Sequence, residues 1–366
     1  MASLRVKIGE LQEGCILVED VYSWTNRPII AKKTVLNEEL IEILNVFKIV
    51  DVNVEKTLIT GMPFIPNEII ENHELLSLAE AKKVELGMTD LFLQAVNGYK
   101  KEFISWQSGL PIDINKVRNI LMPLLEKMEK SPREILNLYH LSTREDYLYH
   151  HAVAVGMISG FIAIKLQYPK GDWVQIALAG CLADCGMAKI NPSIFKKTSS
   201  LTLSEYEEVK NHPLHSYKLI QNIPVIRKEM KIAILQHHER LDGSGYPMGE
   251  REQKIHPIAK IIAVADTFHA MTSERTFRTK QSPYKAIELI MEDNFGKFDL
   301  HCLTALKSAI VNYTVGDKVK LSNGQIAEVL FIDEKAPTRP LLKLEDNGDV
   351  LPLDRNRQIF IEETLA

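Results

Sequence analysis

The sequence is short of cysteine, of any excess of charge, and of long apolar runs. Its 366 residues hold four cysteines, Cys15, Cys181, Cys185 and Cys302, too few and too scattered for a disulfide scaffold. Cys181 and Cys185 have a metal-compatible spacing, but no second pair follows them, and core packing is the simpler reading. Lys and Arg number 44 against 48 Asp and Glu, a formal charge of -4, which gives no support to a DNA or anionic-membrane binder. The longest uncharged apolar run, 152–164, is 13 residues, short of the ~18 that suggest a membrane span. The first ten residues carry Arg5, Lys7 and Glu10 without an apolar signal core, so the expectation is a reduced, cytoplasmic protein. Low-complexity tracts and repeats of about 20 to 50 residues are missing too. With 45% apolar and 25% charged residues, the chain is neither disordered nor collagen-like.

What is abundant is local. Ten of the eleven histidines lie between His140 and His301, a clustering that solubility does not require. Around that region the texture of the chain changes twice. Alternation at Leu4, Val6 and Ile8, a helix over Glu38 to Phe47 with Asn37 as N-cap, and alternation at Val50, Val52 and Val54 predict a small α/β module over 1–60. Residues 61–111 read as a helical connector without a motif, or as a contact between two copies of the chain. From 112 to 312 the periodicity is helical. Thr202 and Glu205 form a capping-box pattern that starts a helix at Leu203, and Ile258, Ile261, Ile262, Ala265 and Phe268 mark one deeply apolar helix face. Over 313–366 the pattern is alternating, and Asn323-Gly324 and Asn347-Gly348 offer hairpin turns, the first of type I′, predicting a small β-barrel-like domain. The fold class is therefore mainly α, with a helical domain flanked by a small α/β module and a small β domain.

Imidazole and carboxylate ligands suit Fe, Mn, Zn or Co, and the central segment offers both. Asp266 is the only acid between His256 and Phe268, on a helix that otherwise reads Ile-Ile-Ala-Val-Ala. An ionised carboxylate there is costly unless a cation or a metal pairs with it. His237 and His238, as neighbours on a helix, would point about 100° apart, so both reach one site only where the helix ends. Asp242-Gly243-Ser244-Gly245 supplies such an ending.

The run from His237 through Glu239, Arg240, Leu241, Asp242, Gly243, Ser244, Gly245 and Tyr246 to Pro247 resembles the signature of the HD-GYP family, bacterial phosphodiesterases of cyclic di-GMP. The resemblance extends from about Leu141 to Asn312 and implies an HD-type helical domain. Asp146 to His151 is similar to the family's opening motif, Asn211-His212-Pro213 to a further ligand motif, and Ile261 to Asp266 to the helix of the last metal aspartate. Carried over, the resemblance implies metal ligands at His151, Asp184, His212, His237, His238 and Asp266. Arg275 and Arg278, within Glu274 to Arg278, match a segment that grips the nucleotide phosphates. Tyr246 would stack or hydrogen-bond near the pocket mouth, or fix the turn. His150, His215, His256 and His269 fall outside the motif positions and read as structural or solvated.

Three departures qualify the match. The family's histidine-aspartate pair falls at Ala183-Asp184, so one imidazole is missing. The lysine three positions after that aspartate is Met187, which can neither carry a charge nor donate a hydrogen bond. Lys189, two residues further on, is a substitute to test. Tyr147 stands where some members have a glutamate for a third metal, so at most two ions are expected. The resemblance thus implies one or two divalent transition ions, iron or manganese foremost, with Asp184 as the catalytic, bridging carboxylate. It implies hydrolysis of cyclic di-GMP, or of a related cyclic dinucleotide, to pGpG or GMP, slowed by Ala183 and Met187. Two other readings are a silent receptor for the dinucleotide and a scaffold whose Gly243-to-Pro247 surface meets a GGDEF-type partner.

Overall fold

The structure is a computed structural model. It describes residues 3–22, 28–47, 49–68, 86–131, 134–135, 138, 141–142, 146–195, 197, 199–273, 280–293, 296–311 and 313–365. The amino-terminal module contains β1 (Leu4–Lys7), β2 (Val21–Tyr22), β3 (Pro28–Ile30), α1 (Glu38–Val46) and β4 (Asp51–Val54). Strand β1 pairs antiparallel with β4, Val6 opposite Val52, and β2 pairs with β3. Asn37 caps α1 by accepting from the Leu40 amide at 2.8 Å, as its position before the apolar period predicts. The module has its own core, in which Val6, Leu17, Leu36, Leu44 and Val54 are fully buried or nearly so.

The helical body begins with α2 (Met88–Gln107) and α3 (Ile114–Lys130), followed by α4 (Tyr147–Lys165) and α5 (Lys170–Leu182). A 3₁₀ turn (Cys185–Lys189) leads to α6 (Pro192–Phe195), α7 (Leu203–Lys210), α8 (His212–Ile220) and α9 (Lys228–Gln236). Then come α10 (Pro257–Thr272), α11 (Pro283–Asp293) and α12 (Leu300–Ile310). Helix α7 starts at Leu203 behind the Thr202–Glu205 capping box, where the sequence puts it. Helix α2 is more than a connector. Its face of Phe92, Tyr99, Phe103 and Trp106 lies in the helical core against α3 and α4, because large aromatics at helical spacing bury far more apolar area there than in water.

Helix α4 is long and apolar enough to cross a bilayer by length and composition alone, yet 78% of that window is buried inside the fold. It is apolar all round because it is covered all round, by α2, α3, α5 and α10. Its approach to α5 depends on glycine. A Cβ at Gly156 would lie 2.9 Å from the Ala177 carbonyl oxygen and 2.9 Å from Cys181 Cβ, and one at Gly180 would lie 2.7 Å from Ser159 Oγ. This close antiparallel pair brings the start of α4 beside the end of α5.

The carboxy-terminal strands are β5 (Lys318–Leu321), β6 (Ile326–Phe331), β7 (Leu341–Leu344), β8 (Val350–Pro352) and β9 (Ile361–Leu365). They form an open antiparallel sheet in the order β8-β7-β6-β5-β9, which corrects the barrel-like expectation. Closure would require the outer strands β8 and β9 to pair. Instead β9 packs against α11, and Val319, Val329, Leu342 and Ile361 join the same core as the helices, so no separate interior is needed. Both Asn-Gly pairs do turn hairpins. Gly324 and Gly348 have φ of 84° and 76°, whereas Asn323 is not in the left-handed region that a type I′ turn demands of both central residues. The Asn323 side chain instead accepts from the Gln325 amide.

The sheet is tied to α11 by a buried ion pair. Arg339 Nε and Nη2 reach the two Glu288 carboxylate oxygens at 2.7 and 2.5 Å, and Arg339 Nη1 donates to the Ile359 carbonyl. Arg339→Ala leaves buried Glu288 with Lys285 Nζ, 4.0 Å away, in place of its two-pronged partner. It is expected to lower unfolding stability by ~3 kcal/mol in denaturant titration, with most of the loss recovered by Arg339→Met together with Glu288→Leu. His150 gives a pH-dependent counterpart. Burial holds its pKa down at about 4, so it stays neutral in the fold while the unfolded chain protonates near pH ~6.5. Its contribution is complete above that pH and is lost as pH falls toward about 4, by roughly 3 kcal/mol. A His150→Leu variant, followed by thermal melts across that window, should lose this part of the acid sensitivity.

Candidate metal centre

Five segments, far apart in the chain, deliver the six side chains singled out from the sequence. His151 lies in the first turns of α4, and Asp184 directly follows the Ala183 that ends α5. His212 opens α8 with Pro213 behind it, His237 is the C-cap of α9 with His238 next, and Asp266 sits inside α10. Helix α9 thus ends where the adjacent histidines need it to end. Gly186 lets the 3₁₀ turn close on α8, since a Cβ there would lie 2.2 Å from the His212 carbonyl oxygen. Ser216 Oγ fastens the contact, donating to the Ala183 carbonyl at 2.6 Å and accepting from the Gly186 amide at 2.8 Å.

The ligand atoms fall into two groups that share Asp184: one with His212, His237 and His238, the other with His151 and Asp266. Asp184 Oδ1 lies 3.0 Å from His212 Nε2 and 3.3 Å from His237 Nε2, while Oδ2 lies 3.5 Å from His151 Nε2. His151 Nε2 is 2.9 Å from Asp266 Oδ1, and His238 Nδ1 is 3.5 Å from Asp266 Oδ2. The backbone decides which ring nitrogens face inward. His212 Nδ1 and His237 Nδ1 donate to the carbonyls of Val209 and Ile234 at 2.8 and 2.7 Å, so each neutral ring presents Nε2 as a lone pair. Those two Nε2 atoms are 3.2 Å apart, and the buried Asp184 Oδ1 beside them accepts no well-angled hydrogen bond among the described residues. Three acceptors converge with no proton of their own to share. That arrangement fits a divalent cation.

The carboxylates also carry charge. Burial alone would raise the Asp184 carboxyl, but without a metal any positive charge or inward proton on His212, and after it on His237 and His151, offsets burial and holds the carboxyl well below its usual range, so it is ionised. Burial works against Asp266 in the same way, and His238 and His151 hold it low. His238 is pushed well down, first by burial and then by His237, so it stays neutral and free to donate a lone pair.

Around these atoms the turn 242–247 forms a wall. Gly243 adopts φ of 84°, and a Cβ at Gly245 would lie 2.4 Å from the Arg240 amide, so the turn seats directly on the backbone after His238. Buried Glu239 is not in the ligand groups. It accepts from the Met248 and Glu250 amides at 2.7 and 2.9 Å and so pins the turn. Tyr246 stacks on His238 with ring centroids 4.7 Å apart and stands edge-on to His212.

Other sequence expectations fare differently. Ala183 is buried and brings no donor, and Met187 packs against the core. Lys189 does not substitute for a lysine at 187, because its ammonium donates to the Trp106 carbonyl at 2.8 Å. Arg275 and Arg278 lie outside the described residues. His269 is more than a structural histidine. Its Nδ1 lies 2.9 Å from His151 Nδ1, and Tyr147 Oη lies 3.2 Å from the same atom, so both orient a ring of the ligand groups. The available signal was its spacing, three residues after Asp266 on one helix face.

Comparison with known proteins points the same way. The HD domain family matches residues 132–301. A cyclic di-GMP phosphodiesterase of Pseudomonas aeruginosa is 30% identical over 236 residues, covering 64% of this chain and 57% of that protein. Another, from Borreliella burgdorferi, is 27% identical over 217 residues, covering 58% and 56% respectively. The chain thus spans a little over half the length of these curated relatives. Among solved structures, an HDG"Y"P protein from Bdellovibrio bacteriovorus aligns with a TM-score of 0.51 at 15% identity, over 84% of this chain and 99% of that one, a likeness of fold.

The shared carboxylate makes metal content a direct test. After anaerobic loading with a divalent transition metal, elemental analysis should find about one to two equivalents in the unaltered protein, fewer after Asp266→Ala, and under ~0.2 after Asp184→Ala, which disables both groups at once.

Proposed function

The chain carries an HD domain of the HD-GYP family, and from that premise we propose that it binds a cyclic dinucleotide, cyclic di-GMP first, and hydrolyses it slowly, if at all, to pGpG or GMP. The observation that carries this reading is the orientation of Asp184, one oxygen turned to His212 and His237 and the other to His151. Asp184, with the histidines on either side, would hold divalent ions, which when bound would supply charge neutralisation for the oxygens of a displacement at phosphorus. The imidazole and carboxylate donors favour iron or manganese in that role.

The protein's own part is to hold and to orient. His212, His237 and His238 form the nitrogen-rich side, and His151, Asp184 and Asp266 the oxygen-rich side. His269 and Tyr147 keep His151 turned inward. Tyr246, stacked on His238, lines the wall that the dinucleotide would meet. Arg275 and Arg278 are our choice for contacts to its phosphates, on motif and spacing alone. The deficit lies on the oxygen-rich side, where Ala183 contributes no nitrogen and Met187 no cation for the charge that develops during cleavage. Those two residues favour a second reading, a receptor that holds the dinucleotide without turnover, or a scaffold that meets a GGDEF-type partner through the Gly243-to-Pro247 surface.

Incubation with cyclic di-GMP and excess manganese, with products separated by chromatography, distinguishes the two. Slow release of pGpG that disappears in Asp184→Ala supports the enzyme, and binding without product supports the receptor. A manganese-loaded protein that neither binds nor cleaves overturns both. Ala183→His combined with Met187→Lys should raise the rate by at least ~10-fold, since one well-placed donor or cation is worth as much or more.

A further inference from the structure

Besides Arg275 and Arg278, which are assigned to the phosphates on motif alone, the methionine at 187 leaves room for a further cation beside the ligand groups. Among the described basic residues nearest the ligand groups, two are already committed. Lys189 is tied to the Trp106 carbonyl. Arg240 is largely buried, lies 4.6 Å over the Phe298 ring, and donates to the carbonyls of His237 and Glu239 and to Thr267 Oγ1.

Lys210 is placed differently. It ends α7, two residues before His212. Its ammonium sits 5.6 Å from the centroid of the Tyr206 ring and 5.7 Å from that of Tyr246. The Tyr246 ring is the one stacked 4.7 Å from His238, so the charge stands a single aromatic ring from the candidate metal centre. Two ring faces within about 6 Å attract an ammonium and narrow the orientations of an otherwise floppy stem. Its one ion-pair partner among the described residues, Glu207 at 3.1 Å, is three residues back on the same helix and 57% exposed. Exposed pairs of this kind contribute little and are readily exchanged for a phosphate oxygen.

We propose that Lys210, held between Tyr206 and Tyr246, contacts a phosphate of the bound cyclic dinucleotide in place of the cation missing at 187. This rests on the reading under Proposed function and adds a substrate-contacting residue to it. The Tyr206 ring, half exposed, anchors the lysine from the outer side, while Tyr246 joins it to the ligand-bearing wall.

The test is calorimetric titration of manganese-loaded full-length protein with cyclic di-GMP at low and at physiological salt, with metal content measured on each sample. Lys210→Gln should weaken binding about tenfold and flatten the salt dependence, with metal content unchanged, because a charge-assisted contact is lost. Lys210→Arg should bind within about twofold of the unaltered protein, and Tyr206→Leu should weaken binding by a smaller factor through the loosened cradle. If the unaltered protein binds and Lys210→Gln binds equally well, the inference falls and the functional reading stands. If the unaltered protein holds manganese but binds no cyclic di-GMP, the functional reading falls and takes the inference with it.

Discussion

Three lone pairs pointed at one another are the constraint on which the rest of the molecule turns. Asp184 Oδ1, His212 Nε2 and His237 Nε2 stand 3.0 to 3.3 Å apart in the interior, and the backbone has already claimed the ring protons that would have eased the contact. Buried acceptors without donors are costly. A cation would lower the energy of such an arrangement, and the low-titrating Asp184 and Asp266 carboxyls carry negative charge that could hold one.

Much of the architecture serves that convergence. The glycines of α4 and α5 allow backbones to meet where any side chain would intervene, and this carries His151 toward Asp184. Gly186 repeats the device between the 3₁₀ turn and α8, and Gly245 repeats it between the turn 242–247 and the end of α9. Helix α2 braces both halves from outside. Its Lys100 pairs with Asp146 at the start of α4, and its Trp106 carbonyl holds Lys189 just beyond Asp184. Further off, Arg339 and Glu288 fix the sheet to the helical body, so the strands complete the core instead of enclosing one of their own.

The segments that carry the candidate ligands stood out in the sequence because their signals are local and chemically specific. A lone acid on an apolar helix, two adjacent histidines before a glycine-rich turn, and a histidine followed by proline each leave a mark that survives without coordinates. The caps at Asn37 and Thr202 were legible for the same reason, since a side chain bonding three residues ahead is encoded within four positions. The misreadings concern long-range partners. Whether the final strands close into a barrel depends on what packs against them, and α11, which ends 68 residues before β9 begins, packs on β9. The work of Lys189 was hidden in a carbonyl 83 residues earlier, and that of His269 in a ring 118 residues earlier.

By itself, then, the sequence determined the kinds of donor available and the helices that carry them. Donor chemistry and helical period belong to residues and their near neighbours. Only the tertiary structure decided that Asp184 faces both groups, that the strands remain an open sheet, and that His269 and Tyr147 orient His151. Each of these is a distance between atoms that the chain holds far apart in order, and packing alone sets such distances.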